Sequence, residues 1–184
     1  ALAFPGMPPG AGTDSALDLP EHVAVYRWLG QRLTRPPQRP LAAAANHAVV
    51  RGAAGALALI LNLRALDAAI VRAAKRLADE IQAAPLGVRT ALLYLDPTGS
   101  DYYLEARRPD VAVAEKRLFG PDWLQVEVDG VRLRHPLTAF SQVNEAMVPA
   151  LVATATALLD PLTGRDLLDL YCGYGLLSLT VGRG

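Results

Sequence analysis

The closing stretch of the chain restricts its fold more than any other part. Leu167-Leu168-Asp169-Leu170-Tyr171-Cys172-Gly173-Tyr174-Gly175-Leu176-Leu177-Ser178-Leu179-Thr180 reads as an apolar strand, a glycine turn and the start of a helix. A strand that feeds a helix through glycines is the unit from which parallel α/β sheets are built, and its turn is where such sheets meet nucleotide-like ligands. Gly173-Tyr174-Gly175 opens like the dinucleotide fingerprint G-x-G-x-x-G, but Ser178 stands where the third glycine belongs. No Gly-Lys-Ser/Thr follows, so a phosphate-cradling Walker loop is excluded as well. What remains is D-x-x-C-G-x-G behind an apolar run. Its glycines let the backbone turn sharply and approach a ligand closely.

Composition sets the outer limits. At 184 residues, 52% of them apolar, the chain can bury a core and has room for one domain and part of a second. Its formal net charge is zero, with 20% charged residues, which argues against one large basic face and leaves room for a local basic groove. Cys172 is the single cysteine, so an internal disulfide and a four-cysteine metal or iron–sulfur site are both excluded. A reducing, cytoplasmic compartment is the expectation, with an organelle not excluded. No apolar run approaches the roughly 18 residues of a membrane span, and the longest, Ala53 to Leu63, contains Asn62. The chain begins with Ala and shows no basic stretch ahead of an apolar one, so no signal peptide is visible and both ends read as cut.

The pattern along the chain gives three regions. Residues 1–40, with Pro5, Pro8, Pro9, Pro20, Pro36, Pro37 and Pro40, read as a linker or covering segment with one short helix at Glu21–Leu33. Residues 41–136 read as a small α+β domain, mostly antiparallel sheet with one long helix. His47–Gly52 and Ala56–Asn62 are its first strands. Asp67 stands at a helix N-cap position, with Ile70, Ala74, Leu77 and Ile81 at helical spacing behind it. Arg89–Leu95 and Asp101–Arg107 read as strands around an Asp96–Gly99 turn. Trp123–Val128 and Val131–His135 flank Asp129-Gly130, a strong two-residue hairpin signal. Residues 137–184 carry a loop, a helix that becomes regular near Val148 with Pro149 in its first turn, and the closing motif.

The turn that lacks both the third glycine and a lysine suits a ligand without a polyphosphate, and S-adenosylmethionine is such a ligand. Two linked segments sharpen this. Phe140-Ser141-Gln142-Val143-Asn144 lies about one helix upstream of Leu168-Asp169-Leu170-Tyr171-Cys172-Gly173-Tyr174-Gly175. In this order and spacing the pair resembles the S-adenosylmethionine-dependent RNA uracil-C5 methyltransferases, which carry F-x-Q-V-N or F-x-Q-P-N, a helix, and then L-D-L-(Y/F)-C-G-x-G. The resemblance is firm over Leu137–Val181, softer over about His47–His135, and does not reach the first forty residues.

That resemblance implies an α+β central domain followed by the start of an α/β Rossmann-like methyltransferase domain. It implies methyl transfer from S-adenosylmethionine to C5 of a uridine in tRNA or rRNA, with the base flipped out of its stack. Gln142, Tyr171, Gly173 and Gly175 would bind the cofactor: Gln142 by contact, Tyr171 by packing, the glycines by bringing the backbone near its amino-acid portion. Asn144 would help fix its segment or serve only as an N-cap. Leu176 stands where many family members carry Asn or Thr. The family attacks uracil C6 with a cysteine thiolate that lies near the far end of its methyltransferase domain. Cys172 is a different cysteine, expected to be a small buried residue of the turn. The expectation is therefore a chain truncated before the catalytic cysteine, with no catalytic residue of its own, part of the cofactor site, no metal and no iron–sulfur cluster.

The remaining candidates are weaker. His22, His47 and His135 are too scattered for a metal site, and His47 and His135 read as surface or capping residues. Arg107, Arg108, Arg132, Arg134 and His135 could form a basic patch for RNA phosphates, with Trp123, Tyr102 and Tyr103 as stacking residues; a solvated strand face is the plainer reading. The alternative for the whole chain is a catalytically inactive, methyltransferase-like RNA-binding or assembly module. On the fragment reading, residues 165–184 expose Leu167, Leu168, Leu170, Leu176, Leu177 and Leu179. They should then be disordered, or packed on the small domain or another chain.

Overall fold

The fold was analysed on a computed structural model, which describes residues 19–53, 55–98, 115–142, 144–159 and 166–182. The chain divides into two compact units, Ala1–Asp122 and Trp123–Gly184.

The first unit is built on a four-stranded mixed sheet in the order β1-β2-β3-β4. Helix α1 (Pro20–Leu33) and the short helix α2 (Arg39–Ala44) lead into β1 (Ala45–Arg51) and β2 (Leu57–Leu63). Helix α3 (Ala68–Ala83) then crosses over to β3 (Val88–Leu95), and β4 (Glu115–Phe119) closes the edge. The outer ladders, β1·β2 and β3·β4, are antiparallel, while the central pair β2·β3 is parallel. A parallel pair needs a crossover connection, and α3 supplies it. Parallel strands are covered on both faces, which is why Leu57-Ala58-Leu59-Ile60-Leu61-Asn62-Leu63 is buried at every position.

Asn62 is the one polar residue in that run. The register of β1 against β2 shifts between Ala45 and His47, leaving Asn46 as the extra residue. Its side-chain amide donates to Asn62 Oδ1 at 2.8 Å and to the Asp96 carbonyl at 3.0 Å. A bulge on an edge strand thus supplies a donor to the buried Asn62 oxygen, while Asn62 Nδ2 has no hydrogen-bond partner among the described residues.

Helix α3 starts where the sequence places it. Asp67 Oδ1 accepts from the Ile70 amide at 2.8 Å, and Ile70, Ala73, Ala74, Leu77, Ala78 and Ile81 form its buried stripe. Leucines and valines of the sheet, together with Val25, Tyr26 and Leu29 of α1, complete this core. Helix α1 is also tied by polar contacts: Val50 N–H donates to the Tyr26 hydroxyl at 3.3 Å, and Arg32 pairs with Glu80 of α3 at 2.8 Å.

The second unit holds the hairpin β5 (Trp123–Val128) and β6 (Val131–Pro136), a single 3-10 turn at Glu145–Met147, helix α4 (Val148–Leu159) and the six-residue helix α5 (Leu176–Val181). The hairpin pairs in the register that Asp129-Gly130 implies, with φ of 49° and 74° at its two turn residues. Pro149 sits in the first turn of α4, where its missing N–H costs nothing. The inward residues Val128, Val131 and Leu133 pack with Val148 and Val152 of α4 and Leu176 and Val181 of α5.

Several expectations change here. The sheet is mixed, and its parallel centre was not anticipated. The hairpin lies in the second compact unit, which begins at Trp123, and shares its burial with α4 and α5. The strand expected at Asp101–Arg107 lies outside the described residues, and β3 pairs instead with β4. Residues 166–169 form no strand, because no ladder partner reaches them among the described residues. Leu176 and Val181 are buried against the hairpin, whereas Leu168, Leu170, Leu177 and Leu179 are exposed.

Leu77 is buried at the centre of the α3 stripe. Leu77→Ala is expected to destabilise the first unit by about 2–5 kcal/mol, and Asp67→Ala by about 1 kcal/mol through loss of the cap. Urea unfolding followed by Trp28 fluorescence in a Trp123→Phe background checks both, and unchanged midpoints would contradict this packing.

Candidate functional site

The closing motif forms one turn of the second unit, from Leu170 to Gly175, that feeds α5. Three of its residues hold positive φ: Tyr171 at 63°, Gly173 at 57° and Gly175 at 81°. Gly175 is the N-cap residue of α5. A Cβ built there would lie 2.8 Å from Cδ1 of the exposed Leu179, which can turn aside, so it is the left-handed conformation that selects glycine. At Gly173 a Cβ would meet nothing within 4 Å, so only the backbone conformation selects glycine there, beside open space. The turn is closed by the Gly175 amide donating to the Cys172 carbonyl at 2.8 Å.

Tyr171 is the informative member. It is fully exposed (103%) and takes no part in the core. A bulky residue at positive φ is a conformational outlier that costs on the order of 1–3 kcal/mol, and such strain gathers at functional sites. Nothing in the packing of an exposed ring compensates for it. The backbone strain and the exposure thus both single out the aromatic position of the motif.

Asp169 is a site residue that the sequence reading quoted without giving it a role. Its Oδ2 accepts from the Ser178 amide at 3.2 Å. Gly175 has no side chain with which to cap α5, and Ser178 is the third residue of that helix, so Asp169 satisfies one of the donors that a helix start leaves open. The carboxylate also places negative charge at the positive end of the helix. A polyphosphate would meet that charge as a repulsion, whereas a ligand with a cationic amino or sulfonium group would not.

The other sequence candidates divide. Gln142 lies half-buried in the loop before the 3-10 turn, and its amide has no hydrogen-bond partner among the described residues. It belongs to the same unit as the glycine turn, but no hydrogen bond joins the two. Asn144 precedes the 3-10 turn without a side-chain capping bond; only its carbonyl takes part, accepting from Met147. Phe140 of the same segment is exposed (65%).

Two expectations are corrected. Cys172 is exposed and not buried, because it faces outward from a turn whose inward side chain is Tyr174, half-buried against the apolar cluster. Its Sγ lies 3.9 Å from the Gly173 carbonyl. His135 is buried (2%) and not a surface or capping residue. It occupies the inward position after Val131 and Leu133, and its ring centroid lies 4.9 Å from that of Tyr174. The alternation of β6 carried this signal, since position 135 falls on the same face as 131 and 133.

Arg132 and Arg134 do lie on the outward face of the hairpin, with Arg134 stacked 4.1 Å over Trp123 and donating to Gln125. Arg107, Arg108, Tyr102 and Tyr103 lie outside the described residues. Among the described residues no group of three His, Cys, Asp or Glu could hold a metal ion, and no helix is long and apolar enough to cross a membrane.

Stretches of the chain are similar to known RNA methyltransferases. The chain is 43% identical over 53 residues to a 23S rRNA (uracil(1939)-C(5))-methyltransferase RlmD of Acidithiobacillus ferrooxidans, a match covering 29% of this chain and 12% of that protein. It is 44% identical over 62 residues to an uncharacterized RNA methyltransferase of Thermosynechococcus vestitus, covering 34% of this chain and 14% of the relative. It is 30% identical over 100 residues to the RlmD of Dechloromonas aromatica, covering 54% of this chain and 23% of that protein. The chain is similar to RNA uracil-C5 methyltransferases. These matches span less than a quarter of each relative's length. No protein-family model matches.

Asp169→Ala should free the Ser178 amide and loosen the first turn of α5 by about 1 kcal/mol, while Asp169→Asn keeps an acceptor and most of the protection. Amide exchange at Ser178 measures this; equal protection in all three proteins would remove Asp169 from the role of cap.

Proposed function

We propose that this chain is part of an RNA methyltransferase that transfers a methyl group from S-adenosylmethionine to C5 of a uridine, with ribosomal RNA as the substrate class that the names of its relatives favour. The observation that carries the reading is the shape of the closing turn. A glycine turn with open space at Gly173, a strained and exposed aromatic at Tyr171, and a carboxylate already at the helix start suit a cofactor that has an adenine ring, an ammonium group and a cationic sulfonium but no polyphosphate.

In this reading S-adenosylmethionine supplies an activated methyl group on its sulfonium. The residues of this chain bind and orient it. Tyr171 offers a ring face, Gly173 and Gly175 allow close backbone approach, and the uncommitted amide of Gln142 offers a hydrogen bond. Cys172 is assigned no catalytic role, and no residue of this chain is assigned as nucleophile or base. The domain reading becomes a central α+β unit followed by the opening of a Rossmann-like domain.

Two outcomes are expected. The complete reading frame that contains this chain should transfer tritiated methyl from S-adenosylmethionine to uridine C5 of a 23S rRNA transcript. Gln142→Ala should raise the KM for the cofactor about tenfold, the scale of one lost hydrogen bond. Absence of transfer from an intact, folded product would favour a non-catalytic RNA-binding module. The chain by itself presents exposed Tyr171, Cys172 and Gly173 as one open wall, so calorimetry should find no binding of S-adenosylmethionine near micromolar concentration.

A further inference from the structure

We propose that His135 is a positioning residue for the glycine turn, acting through Tyr174; the purpose of that positioning rests on the cofactor-site reading above, but the coupling itself does not. Tyr174 lies between Gly173 and Gly175, both at positive φ. Glycine gives a turn its shape and also the freedom to leave it. Of the three residues Gly173, Tyr174 and Gly175, only Tyr174 has a side chain that can hold the turn, and that side chain packs inward against the cluster formed by the hairpin, α4 and α5.

The far side of that contact is a histidine where the alternation of β6 calls for an apolar residue. His135 follows Val131 and Leu133 on the buried face and stands opposite Leu124. Its Nδ1 lies 3.0 Å from the Pro136 carbonyl. A carbonyl only accepts, so this bond assigns the proton to Nδ1 and restrains the ring plane. The restrained ring meets Tyr174 at 4.9 Å between centroids with a 41° tilt, within the range of favourable aromatic pairs. A leucine would fill the same volume but could not offer a ring of fixed orientation. The chain of effects therefore runs from the β6 backbone through the imidazole to Tyr174 and so to the two glycines beside it.

The test compares His135→Leu, which keeps an apolar core residue, with His135→Phe, which restores a ring. The Gly175 amide, bonded to the Cys172 carbonyl, reports the turn, and the amides of the β5–β6 ladder report the hairpin. His135→Leu should speed exchange at Gly175 by about two- to tenfold with ladder amides unchanged, and His135→Phe, which restores the ring but not its bond to Pro136, should give a rate between the two. In a Tyr174→Leu background His135→Leu should add nothing. Unchanged exchange at Gly175, or equal loosening of ladder and turn, would overturn the proposal. If His135→Leu does not fold, Tyr174→Leu reads the same contact from its other side. The carbon-bound imidazole protons of His135 should lose an upfield ring-current shift, and their failure to move would equally overturn it. No arm contains cofactor, so a failed coupling leaves the cofactor reading to its methyl-transfer test, and failure of that reading leaves the coupling measurement standing.

Discussion

Two parallel strands side by side cannot present either face to water, and the first unit is organised around this constraint. Every residue of Leu57–Leu63 is buried, as is nearly all of Val88–Leu95. The parallel pairing demands a crossover, so α3 must be amphipathic and must start within a few residues of β2; the Asp67 cap fixes that start. The edges are then left to antiparallel strands that tolerate polarity. β4, with Glu115, Lys116 and Arg117 exposed, is a short charged edge of the kind that resists pairing with other chains. The Asn46 bulge on the opposite edge serves the interior instead, by donating to the buried oxygen of Asn62.

The second unit solves burial differently and less completely. A hairpin and two helices share one small cluster, and the sides of α4 and the closing segment away from it carry exposed leucines, with Leu158 and Leu168 each 80% exposed. The glycine turn sits at the margin of that cluster. Its inward anchor is Tyr174 and its outward face is Tyr171, Cys172 and Gly173. A site built this way is supported from one side, which makes each internal restraint on the turn matter more than it would within a fully covered sheet.

Much of this was readable from residue patterns. The Asp67 cap, the stripe from Ile70 to Ile81, the Asp129-Gly130 hairpin and the displacement of α4 to Val148 by Pro149 all follow from local rules, and each appears where those rules put it. What was not readable depends on partners distant in sequence. Leu57–Leu63 reads as a buried strand whether its neighbour runs parallel or antiparallel, so the sheet's direction was hidden. The charged edge strand β4 has too little apolar alternation to register without β3 beside it. The hairpin joins the second unit only because α4 and α5 cover it. In the site, the glycines and Tyr171 were legible as a motif, whereas the inward role of His135 needed the alternation of β6 to outweigh the habit of placing histidines at the surface.

The substitution of Ser178 for the third glycine is where fold and chemistry meet. In the dinucleotide fingerprint that glycine lets helix and strand pack closely around a pyrophosphate held by the helix start. Here the amide of Ser178 is already bonded to Asp169, and its Oγ turns back to the Gly175 carbonyl at 3.5 Å. The donor that an anion would need is therefore in use, and the charge beside it has the wrong sign for phosphate. The same two residues that make the motif fail as a nucleotide loop leave a helix start whose third amide is capped from within the chain. The division of labour is then physical: glycine lets the chain turn, Asp169 caps α5, and Tyr174 packed on His135 holds an otherwise permissive turn.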